Sequence, residues 1–80
     1  MKMPNMHLKR LILEVVDNQL RDNNPPITRT TLERLTSLGY SDKRAKEMIG
    51  AVVVEEIFDV LKRNEVFDLG RFTKKLTDLR

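Results

Sequence analysis

The sequence predicts an all-α fold, a compact four-helix domain with a long central third helix. Three observations predict it. Apolar residues recur at spacings of three and four rather than two. The β-branched run Val52 to Val54 lies inside such a helical pattern. Pro25-Pro26, Gly39 and the Phe67-Asp68 junction then divide the chain into four segments. Helices are expected over about residues 5–22, 28–38, 41–64 and 68–79, within a single domain covering 1–80.

In the first segment Leu8, Leu11, Ile12, Val15, Val16 and Leu20 form one apolar face, and Asn5 is placed to cap the first turn. The run "DNNPP" ends it. A residue before proline is pushed out of the α region, and proline donates no helical hydrogen bond. In the second, Leu32, Leu35 and Leu38 share a face. Thr30 with Glu33 reads as a capping box, with Thr28 an alternative cap, and Gly39 supplies the left-handed position that closes a helix.

The third segment opens at the cap Ser41 and runs to Asn64, with Lys62 and Arg63 set against the dipole of its last turn. Asp68 caps the fourth, whose face is Leu69, Phe72, Leu76 and Leu79. Phe67 and Phe72 form a hydrophobic staple across that cap, and Gly70 is a weak spot in the first turn.

The third helix is central because of its wheel. Ala45, Ile49, Val52, Val53 and Val60 make one stripe, but Val54, Ile57, Phe58 and Leu61 cover much of the remaining circumference. Such a helix is surrounded by other helices or by a second subunit. Within it, "GAVVVEEIFDVL" holds two carboxylates. At about 100° per residue, Glu55 falls on a more polar sector, while Glu56 points into the apolar stripe. A buried carboxylate takes up a proton or finds a cation. Two partners are candidates: Arg34, which sits beside Leu35 and has a bidentate fork, and His7, the only histidine. Glu56, Arg34 and His7 are therefore the expected buried polar cluster, with a structural role in helix registry.

Length and composition narrow the function. Eighty residues bury roughly 60–65% of the unfolded surface, enough for one modest core. Hydrophobic residues make up 40% and charged residues 34%, the balance of a folded helix-rich domain. Cysteine is absent, which removes disulfides, thiolate metal sites and cysteine nucleophiles and fits a reducing compartment. The N-terminal apolar residues are interrupted by Lys9, Arg10, Glu14 and Asp17, so neither a signal peptide nor a membrane span is expected, and the cytoplasm is the expected location.

Fifteen basic against twelve acidic residues leave +3, a mild surplus that argues only weakly for an anionic partner. The basic candidates are Lys43, Arg44 and Lys46 at the start of helix three, and Arg71, Lys74 and Lys75 on helix four. The former follow a helix–glycine–helix pattern, but a recognition helix should be short and polar, and this one is long with an apolar middle. Glycines 39, 50 and 70 are isolated, so there is no phosphate loop, and no serine–histidine–acid motif is present. No catalytic residue, cofactor, metal or small-molecule substrate is expected.

The stretch "LGYS" with Ala45 resembles the helix turn of ubiquitin-associated domains, which implies a partner contact at Tyr40; Tyr40 also suits a staple ahead of the Ser41 cap. Over "VVDNQL", "PPITRTTLERLTSLGYS" and "AKEMIGAVVVEEI" the chain resembles a family of short prokaryotic all-helical proteins classed as a domain of unknown function. That resemblance implies an all-helical domain and no defined activity. Some members carry further histidines along helices one and three, where this chain has His7 alone. The expectation is a non-enzymatic helical module acting by protein–protein contact, as a homodimer through the over-apolar third helix. The alternative is a nucleic-acid-binding protein that uses the basic face.

Overall fold

Each helix starts and stops where local chemistry allows. In the computed structural model, which describes residues 6–80, the helices are α1 (Met6–Asp22), α2 (Pro26–Ser37), α3 (Asp42–Arg63) and α4 (Leu69–Thr77). The cap expected at Asn5 lies outside the described residues. No strand occurs among the described residues, and no helix there is long and apolar enough to cross a membrane.

The α1 helix ends as expected, with Asn23 in the left-handed region at φ 50° and its N–H donating to the Leu20 carbonyl. The start of α2 differs from expectation. It begins at Pro26, two residues early, because a proline in the first helical turn lacks only an N–H that would have no partner there. Thr28 and Thr30 are consequently inside the helix and not caps. The Thr30 hydroxyl donates back to the Pro26 carbonyl, and Thr28, fully buried, donates to Gln19 Oε1 at 2.8 Å.

Gly39 closes α2 at φ 107°: its N–H donates to Thr36 O, and the N–H of Tyr40 donates to Leu35 O, the paired bonds of a Schellman turn. Ser41 caps α3 by accepting from the Arg44 N–H, and Asn64, at φ 52°, ends it. Asp68 caps α4 by accepting from the Arg71 N–H, while Phe67 and Phe72 stack across that cap with ring centroids 5.5 Å apart. Tyr40 packs against the core, and its hydroxyl donates to the Arg80 carbonyl.

The core consists of Val16 and Leu20 from α1, Leu35 from α2, Ala45, Ile49, Val52 and Val53 from α3, and Phe72 and Leu76 from α4. Leu69, expected on the α4 core face, is half exposed instead. It stands in the first turn, where α4 enters from a loop and has not yet reached the core. The α3 helix packs on the other three, as expected, and α2 also touches all three. No contact joins α1 and α4, so they lie as separate flanks on α3. Where α1 crosses α3, Gly50 permits the close approach: a Cβ there would lie 3.0 Å from Ile12 Cγ2.

That crossing is tight enough to test. Replacing Gly50→Val adds bulk against Ile12 and is expected to destabilise the fold by about 1–3 kcal/mol. At about 4–8 °C per kcal/mol for a domain of this size, a thermal melt followed by circular dichroism reads the change directly.

Candidate functional site

Glu56 lies in the apolar stripe of α3 as its wheel position requires, and it is 2% exposed. Its partner is Arg71, from the first turns of α4. Arg71 Nε donates to both carboxylate oxygens, at 3.1 and 3.2 Å, and Nη2 donates to Oε1 at 2.7 Å. Lys75, one turn further along α4, places Nζ 3.8 Å from Glu56 Oε2 and 3.0 Å from Asp59 Oδ2. Glu65 and Asp59 complete the ring of charge, at 3.6 and 3.9 Å from Arg71. The hydrogen bond from Glu56's neighbour is strong in its effect on the cation: the carboxylate holds the Arg71 guanidinium even further above its usual range. Lys75 holds the Asp59 carboxyl below the ordinary aspartate value.

The expected cluster of Glu56 with Arg34 and His7 does not form. Arg34 reaches the other end of α4, where Nη1 donates to Leu79 O at 2.6 Å and Nη2 to Leu76 O at 2.9 Å. The carbonyls at a helix C-terminus lack their regular i+4 partners and carry the negative end of the dipole, so a guanidinium is well matched to them. Arg29 does the same for α1, donating to Leu20 O at 2.6 Å. Thus two arginines of α2 cap the C-terminal ends of α1 and α4. His7 is exposed on the first turns of α1. No group of three His, Cys, Asp or Glu residues that could hold a metal gathers among the described residues.

The expected basic surface is largely spent on local ion pairs. Arg71 and Lys75 turn to Glu56 and Asp59, so they are corrected from a solvent-facing anion site to the inner partners of α3. Lys74 pairs with Asp78, and Lys46 with both Asp17 and Asp42. Arg44 lies 3.8 Å from Glu47, which Lys9 engages at 2.6 Å. Lys43 is exposed beside them.

One signal for the Arg71 partnership was available in the sequence. Arg71 and Lys75 stand four apart, flanking the Phe72–Leu76 stripe, so both must run along the edge of whatever α4 packs against. Which carboxylate they meet depends on how α4 folds back on α3, and no local pattern encodes that.

Above the ion pair the structure opens. Because α1 and α4 do not meet, an apolar cleft of about 310 Å³ lies between them. Val15 and Gln19 of α1 form one wall, Phe67 and Phe72 the other, and Val53, Ile57, Val60 and Leu61 of α3 form the floor together with Glu56. Leu11, one turn before Val15, Phe58, beside Ile57, and Val66, beside Phe67, are exposed as well. Compared with family models, curated proteins and solved structures, the chain finds no match in any of the three.

Two predictions test the charge arrangement. Removing Arg71 leaves the Glu56 carboxylate buried with only Lys75 nearby, whereas removing Glu56 leaves a guanidinium that can turn to water. Arg71→Met is therefore expected to lower the melting temperature more than Glu56→Met does, and the double substitution to recover part of the Arg71→Met loss. Equal, additive losses would contradict a coupled buried pair. The second concerns acid. Asp59 and Glu47, the latter held low by Lys9, have folded-state pKa values below their unfolded ones. Their stabilisation is complete above about pH 4–5 and is lost as pH falls through the depressed values. The urea midpoint is expected to hold steady from neutrality to about pH 5 and to drop below about pH 4.

Proposed function

We propose that the chain is a non-enzymatic helical module that works by protein–protein contact through the apolar face over α3. One observation carries the reading. Val15, Ile57, Leu61 and Phe67 line a single cleft, and Leu11 and Phe58 stand within one helical turn of its lining residues on α1 and α3, so most of the exposed large apolar residues gather on one side, with Leu38 and Leu69 apart from it. Single exposed hydrophobes are ordinary on a protein surface, but a continuous patch with a concave centre marks a contact site.

The chemistry of the cleft supports binding over catalysis. The Glu56 carboxylate on its floor is already taken up by Arg71, so it is not poised as an acid or base. Nucleic-acid binding has less support, since Arg71, Lys74, Lys75 and Lys46 all face carboxylates of the same chain. A cysteine-free chain suits work in a reducing compartment such as the cytoplasm.

A photo-activatable residue at Leu61, compared with one at Glu33 on the far helix α2, tests this in cell extract. Protein adducts are expected at position 61 and not at 33, and their yield should change little with added salt. Equal labelling at both positions, or adducts that disappear steeply as salt rises, would count against an apolar protein contact.

A further inference from the structure

We infer that the occupant of the cleft is a second copy of this chain, so that the module is an isologous homodimer built on α3; this rests on the face being protein-binding. The first argument is area. Leu11, Val15, Ile57, Phe58, Leu61 and Phe67 are each 36–72% exposed, and Val66 is 86% exposed. Together they present on the order of 700–800 Å² of surface, close to the roughly 800 Å² that each partner contributes to a standard interface. Among the described residues nothing covers it, and α4 is only 9 residues long against 22 in α3.

The second argument is self-complementarity. A two-fold contact brings one patch against its own copy, so the patch must carry both hole and knob. This face does. The cleft is the hole, and Phe58 and Val66, which stand out of the face without lining the cleft, are the knobs.

The third argument is charge. In a two-fold contact a residue meets its own copy near the axis, so the residues placed there must be free of charge. Along the outer side of α3, Ala51, Val54, Phe58 and Leu61 follow one another at spacings of three, four and three, the periodicity of a two-helix seam, and all four are uncharged. Glu55 and Lys62 flank this seam without entering it.

Sedimentation equilibrium on the intact chain over rising concentration is the test, with Val66→Asp and Phe58→Asp as variants. The expected result is a reversible monomer–dimer equilibrium whose dissociation constant each variant raises by about tenfold or more. Val66 lies outside the helices and is exposed, so Val66→Asp keeps the helical circular dichroism of the dilute wild type and separates lost association from lost folding. A monomer at every concentration, open-ended aggregation, or a dimer indifferent to both substitutions overturns the proposal. A monomer that still gives protein adducts at position 61 removes the second copy and leaves the protein-binding reading. A monomer without adducts removes both.

Discussion

A carboxylate in an apolar core must be answered by a cation, and in this protein that requirement positions a whole helix. Glu56 sits at the centre of the buried stripe of α3, and Arg71 meets it with three hydrogen bonds from the first turns of α4. Desolvating the ion pair is costly, so its value is less in net stability than in orientation. A helix as short as α4 has little propensity to persist alone. The arginine fork, the Asp68 cap and the Phe67–Phe72 stack together hold it at one angle against α3.

The other end of α4 is held by different means. Arg34 donates to its last carbonyls while Phe72 and Leu76 fill the core below. With Arg29 on the end of α1, the second helix clamps α1 and α4 by the same chemistry, a cation on the carbonyls at a helix C-terminus. Gly50 then lets α1 settle deep against α3. Both flanking helices are thereby fixed on α3 without touching each other, and the cleft is the space that remains between them. Its apolar floor follows from the sequence of α3, which has more hydrophobic circumference than its three neighbours cover.

Much of this architecture was legible beforehand, and the reasons are local. Caps at Ser41 and Asp68, the left-handed closure at Gly39 and the aromatic staple all depend on residues within four positions of one another. The inward turn of Glu56 and the outward turn of Glu55 depend only on helical periodicity. The start of α2 was misread for a local reason as well: threonine and glutamate at capping-box spacing outweighed two prolines that are equally good at opening a helix. Leu69 kept the period of the α4 stripe but stands before the helix reaches the core.

The site itself was legible only in part. By itself the sequence determined the helices, the over-apolar third helix and the need for a cation at Glu56, because periodicity, capping and the cost of a buried charge act on neighbouring residues. The tertiary structure decided which cation answers. The sequence offered Arg34 and His7, but the fold sends Arg34 to the carbonyls at the end of α4, leaves His7 exposed and brings Arg71 to Glu56. It also decided that α1 and α4 stay apart and leave a cleft. Both outcomes hang on packing between residues fifteen to forty-five positions apart, where local rules have no reach.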